Sequence, residues 1–202
     1  MPRTDDYITA RKLSLEILSG KDPVAVAKRA GYILNRDNTI GMPFLDHSYR
    51  FCPCKGIVLD ENGQEAPLPE QVLLLHYLAS ESDATPTGEW VAFREIPGAS
   101  FYFSAFTKRA IDPLKKVFGA NPPGFLSSAQ KIGAKPIEAG DAGIELAVFP
   151  RVPLRMILYT GDDEFPPEAV ICFDASAGSI LSPEDLAWLA SMPVYRMIGM
   201  LR

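Results

Sequence analysis

Proline placement constrains this chain more than any other feature. There are 18 prolines in 202 residues, nearly double the ~5% average. Much of that load sits where proline starts or stops an element. Asp22-Pro23 precedes an apolar-periodic run that ends at Gly31, which reads as an N-cap, a proline at the first helical position and a glycine stop. Asp112-Pro113 repeats the device before Leu114–Phe118 and Gly119, and Ser182-Pro183 repeats it before Glu184–Ala190. Leu68-Pro69 opens a helix through Tyr77, and a further helix runs from after Thr4 to Gly20. End chemistry therefore announces five helices.

Short apolar runs lie between them. Asn38–Phe44 and Ser48–Leu59 flank a turn at Leu45-Asp46-His47, and Trp90–Phe93 reads as a strand closed by Pro97-Gly98. Ile144–Phe149, Leu154–Tyr159 and Ala169–Phe173 are divided by Pro150–Pro153 and by Gly161–Pro167. Such short connections suit antiparallel neighbours, because a parallel pair needs a crossover of a dozen or more residues. The expectation is an α+β fold with a mostly antiparallel sheet and about five helices. It is read as a single domain over 1–202, with a helical N-terminal segment 1–34 and a core 35–202. At 47% hydrophobic and 10% aromatic, the chain has material for a core without disulfide staples.

Charge and cysteine content narrow the partners. The net charge is −5, against the clustered Lys and Arg that a phosphate backbone demands, so nucleic acid is not expected. The charge is uneven: residues 51–100 hold 2 basic and 8 acidic side chains, whereas 101–150 hold 6 basic and 4 acidic. No apolar run approaches the ~20 residues of a membrane span, and the N-terminus shows no export-signal pattern. With an odd cysteine count of 3, a reducing cytoplasm is the expected home.

Four constellations could carry chemistry. Cys52-Pro53-Cys54 lies in a strand-like run, where alternate residues share a face. With Cys172 and either His47 or His76 it has the donor types of a Cys₃His zinc site, although it lacks the usual C-x₂-C spacing. Asp162, Asp163 and Glu164 form an acidic loop, and with Asp141 and Asp174 they offer oxygen ligands for a divalent metal; the alternative is turns that cap strand ends. Trp90 and Arg94, set between Gly88 and Gly98, could stack on and pair with a ligand, or could belong to a core strand with surface ion partners. The aromatics of Ser100–Phe106 and the run Leu73–Leu78 read as core stripes. No G-x-S-x-G, P-loop, G-x-G-x-x-G or H-E-x-x-H motif occurs, so the familiar hydrolase, nucleotide and zinc-protease classes have no signature here.

Taken in order, Leu73–Leu78, Gly88–Gly98, Gly140-Asp141, Phe149–Pro153, Gly161–Pro166 and Phe173-Asp174 resemble the prokaryotic family catalogued as domain of unknown function 3786, over roughly residues 35–195. The family has no established activity or catalytic residues to carry over. The resemblance implies a setting in anaerobic one-carbon metabolism, because some members are joined to a 4Fe–4S domain of the corrinoid iron–sulfur kind. This chain has no four-cysteine cluster motif, so an iron–sulfur or corrinoid group is expected in a partner protein rather than in the chain.

Three readings follow. The leading one is a non-catalytic binding or accessory protein holding a small molecule or protein partner with Trp90, Arg94, Arg151, Asp162, Asp163 and Glu164. The second is a metal-dependent enzyme built on Asp141, Asp162, Asp163, Glu164 and Asp174. The third is a thiol-based metal or redox site at Cys52 and Cys54.

Overall fold

The computed structural model describes residues 4–201. The fold is α+β with two antiparallel sheets, and the chain divides into two compact units, Met1–Asp83 and Ala84–Arg202. No helix of the described residues is long and apolar enough to cross a membrane.

The first unit starts with α1 (Thr4–Ser19) and α2 (Pro23–Arg29). Asp22 caps α2 by accepting from the backbone N–H of Val24 and Ala25, as its sequence predicts. A four-stranded sheet follows in sequential order, β1 (Ile33–Leu34), β2 (Ile40–Phe44), β3 (His47–Cys52) and β4 (Ile57–Leu59), and α3 (Leu68–Ala79) completes the unit. Leu45 takes φ 56 in the tight β2–β3 turn, a conformation that suits two-residue hairpins although leucine rarely adopts it. The run Ser48–Leu59, read as one strand, is broken into two. Pro53 has no N–H to give a ladder, Gly56 sits at φ 60, and the N–H groups of Lys55 and Gly56 both donate to the Cys52 carbonyl. The α3 run Val72–Leu75 is wholly buried. Arg11 of α1 donates to Gln71 Oε1 at 2.7 Å and to the Gly56 carbonyl, tying helix, helix and turn together.

The second unit holds β5 (Trp90–Ala92), α4 (Phe103–Phe106), α5 (Asp112–Phe118), α6 (Pro122–Lys131), β6 (Lys135–Ile137), β7 (Ala142–Phe149), β8 (Val152–Tyr159), β9 (Glu168–Asp174), α7 (Ala177–Ile180) and α8 (Pro183–Gly199). A π-turn, Thr107–Ile111, joins α4 to α5. The five strands pair antiparallel in the order β5-β9-β8-β7-β6, so the expected meander of three strands is its centre. Register explains the core. Val91, Phe173, Leu154 and Leu146 fall in one row across four strands, and the last three are buried. Phe93 stacks on Phe106 at 4.3 Å between ring centroids, with Phe173 at 6.0 Å from Phe93. Burying three phenylalanines contributes on the order of 5–9 kcal/mol before conformational entropy is charged.

The five helices read from end chemistry are α1, α2, α3, α5 and α8, but Asp112 starts nothing: it is itself helical at φ −62 and ψ −45 and α5 has no side-chain cap, because the chain is already helical from Ala99. The structure adds α4, α6 and α7, and the edge strands β1 and β6. The α6 signal was the same device: Asn121 accepts from the Gly124 N–H at 3.0 Å and Pro122 stands at the first position. The divider Pro150–Pro153 is shorter than expected, since Val152 and Pro153 belong to β8. A register shift between Ala147 and Phe149 accompanies them, which suits a proline that cannot donate to the ladder.

Candidate functional site

Three of the five carboxylates singled out as metal ligands are engaged with backbone. Asp174, at the end of β9, is fully buried and takes five donors: the Thr87 N–H and hydroxyl, the Gly88 N–H, and the Ser176 N–H and hydroxyl. Burial pushes its carboxyl up, and these hydrogen bonds more than offset it, holding the group at about 2. Asp174 thereby fixes the turn that delivers β5 to the sheet. Asp141 accepts from the Thr160 N–H at 2.6 Å and hydroxyl at 2.8 Å, which joins the start of β7 to the end of β8 and lowers its carboxyl below the usual range. Asp162 accepts from the N–H groups of Phe165 and Glu164, which lower its carboxyl in turn. This is an Asx-type turn closed on itself, with Asp163 and Glu164 exposed at its tip. Among the described residues no group of three or more His, Cys, Asp or Glu is placed to hold a metal ion.

The thiols do not share a strand face. Cys52 ends β3 and Cys54 lies in the following turn, so the strand alternation that would align them stops between them. Cys172 belongs to β9 of the second unit. Burial pushes its thiol up, Glu95 adds to this and Arg155 opposes it, the opposite of an activated nucleophile. His47 lies in the first unit with Nδ1 at 2.9 Å from Glu61 Oε1 and Nε2 at 4.0 Å from Asp46. His76 is half-buried on α3.

The six residues expected to form one ligand site separate along the sheet. Trp90 pairs with Asp174 and Leu154 with Phe173, so β5 and the Pro150-Arg151 turn lie at the end of the sheet where β9 finishes. The loop bearing Asp162, Asp163 and Glu164 lies where β9 begins. Six residue steps along β9 make that about 20 Å. Trp90, Arg94 and Arg151 therefore do not meet the acidic loop in a single cleft. Arg94 stacks its guanidinium on the Phe103 ring at 3.6 Å, and Glu95 accepts from the Ala92 N–H.

What the register assembles instead is a polar layer on the outward face of the second sheet. Ala92, Cys172, Arg155, Glu145 and Lys135 form one row across five strands. The Arg155 guanidinium lies 4.1 Å over the Trp90 ring, while its Nε and Nη2 donate to Glu145 Oε2 at 2.9 and 2.8 Å. The two charged side chains are 34% and 38% exposed, so the layer is open to contact. Arg155 and Glu145 were absent from the candidates read in the sequence. Their signal was there, as one charge of each sign in the middle of an otherwise apolar run, but only strand pairing puts the two side by side.

A family model described as Domain of unknown function (DUF3786) matches residues 22–196. The chain belongs to that family. No curated protein and no solved structure matches it significantly. In this DUF3786 chain, the glycine-bearing segments that carried the resemblance hold turns in place. Gly140 stands at φ +59, and a Cβ there would lie 2.5 Å from the Leu158 carbonyl oxygen. A Cβ on Gly161 would come within 2.7 Å of the Pro167 nitrogen. Gly98 adopts φ 80 before the turn that carries Phe101. Beside Gly140 an open hollow of about 400 Å³ is lined by Leu126, Ile137, Glu138 and Asp141 among others, and its Asp141 is committed to Thr160.

Proposed function

We propose that this chain is a cytoplasmic binding or accessory protein, and that the Trp90–Arg155–Glu145 layer is the surface it offers. The observation that carries this reading is the layer itself: a tryptophan and an arginine, stacked, paired and part-exposed on a sheet face. These two residue types, with tyrosine, dominate the energetics of protein interfaces. A guanidinium already held between a ring and a carboxylate has little rotamer freedom left to surrender on binding. The three free cysteines fit a reducing compartment. The partner class the family resemblance points to is an iron–sulfur or corrinoid protein.

Affinity capture from anaerobic lysate tests the reading, using the wild-type chain and the Trp90→Ala and Arg155→Ala variants in parallel. The expected result is a partner that carries iron or cobalt by elemental analysis and is lost with both variants. Equal recovery by wild type and variants would remove the layer from the interaction.

A further inference from the structure

The second unit carries an exposed face that is complementary to a loop of the same unit. From Ala99 to Phe118 the chain is continuously helical, through a 3₁₀ turn, α4, the π-turn and α5. Its inward residues, Ala99, Phe106, Ala110, Leu114 and Phe118, are buried. Its outward residues, Phe101, Ser104, Lys108, Asp112 and Lys116, are exposed. Phe101 is 88% exposed, an unusual position for a residue type that is most often buried. The outward row holds Lys108 and Lys116 against Asp112, so the face carries a small net positive charge with an aromatic at one end.

At its other end lies the acidic loop. A Cβ on Gly119 would meet Pro167 at 2.5 Å, and Lys115 pairs with Glu168 at 3.2 Å, so the loop packs beside the end of α5. It presents Asp163, Glu164 and Phe165, the last 66% exposed. Nothing in the loop's own hydrogen bonding requires those three side chains, because Asp162 closes the turn.

We infer that this face is an interface between two copies of the chain related by a two-fold axis. Antiparallel packing of the helical segment sets the acidic loop of each copy against the Phe101–Lys108 half of the other. Phe165 then meets Phe101, and Asp163 and Glu164 meet Lys108. Both contacts form at once, as an isologous interface requires. The occupant is a second copy because the complement of the cationic, aromatic face, an acidic loop with an exposed phenylalanine, is on the chain itself.

Analytical ultracentrifugation across a concentration series provides the test. The wild type is expected as a monomer–dimer equilibrium that weakens with added salt, since exposed charges are screened. Phe101→Ala is expected to weaken it by about tenfold or more. The decisive experiment uses Asp163→Lys/Glu164→Lys in one chain and Lys108→Glu in another. Each is expected to be monomeric alone, and an equimolar mixture to form a 1:1 dimer. All these positions are exposed, and circular dichroism verifies that the variants keep the fold. A wild type that stays monomeric through the micromolar range, a mixture that fails to associate, or growth into larger species would each overturn the two-fold interface.

Discussion

Asp174 shows what a single carboxylate can do when backbone donors surround it. Its five donors come from two segments, Thr87-Gly88 and Ser176, which it holds against the end of β9. Replacing it by asparagine keeps the shape but turns an NH₂ toward N–H and hydroxyl donors, with an expected loss of about 1–3 kcal/mol, read as a lower urea midpoint. The pH dependence has a definite sign. The carboxyl sits at about 2 in the folded chain against an ordinary 3.8, so the unfolded chain binds the proton more readily. The stabilisation is therefore complete above 3.8 and lost as pH falls through about 2. Acid titrations of unfolding should show this component in the wild type and a flatter profile in Asp174→Asn.

Among the elements, the strand ends of the second sheet are held by glycines that admit no substitute. Gly140→Ala would place a methyl 2.5 Å from the Leu158 carbonyl oxygen at φ +59. It should cost at least about 2 kcal/mol, because a strained backbone and a backbone clash add. Gly63 has a similar φ of +77 with nothing within 4 Å of a Cβ, so Gly63→Ala should cost only about 1 kcal/mol. Thermal unfolding of the two variants separates conformational strain from collision. The Asp162 turn and the Asp141–Thr160 pair belong to the same device: they close the C-terminal end of β8 with side-chain acceptors, so these carboxylates serve strand geometry first. The helices α2 and α8 were legible because Asp22 and Ser182 cap their first turns, and α6 obeyed the rule through Asn121-Pro122, whereas α5 continues a segment already helical from Ala99. The break of β3 from β4 at Pro53 was harder to read, since Phe51 to Leu59 is apolar enough to pass for one strand.

At the scale of the whole molecule, the carboxylates read as a metal site are spread over separate turns. Asp174 closes the last strand end, Asp141 the opposite one, and Asp162 its own loop. A divalent ion at a hundred times its Kd would add about 2.7 kcal/mol to the folded state. The expected outcome is that Mg²⁺, Mn²⁺ and Ca²⁺ leave the unfolding midpoint where EDTA leaves it. A rise with any of them would mean that the exposed Asp163 and Glu164 recruit an ion with partners from elsewhere.

The sequence by itself determined what depends on neighbours a few residues apart. Caps, prolines at first helical positions, glycine stops and short apolar runs joined by short connections pointed to five helices, the central meander and the α+β class, because each is a local steric or hydrogen-bonding requirement. Which side chains meet was decided only by strand order and register. Trp90 and the acidic loop looked like parts of one site in the linear order, yet they lie at opposite ends of β9. Arg155 and Glu145, each a lone charge in an apolar run, became neighbours under Trp90 because β7, β8 and β5 are assembled in one sheet. A strand's own residues state which face each side chain takes, and pairing across strands, which depends on the whole core being buried at once, states what it touches.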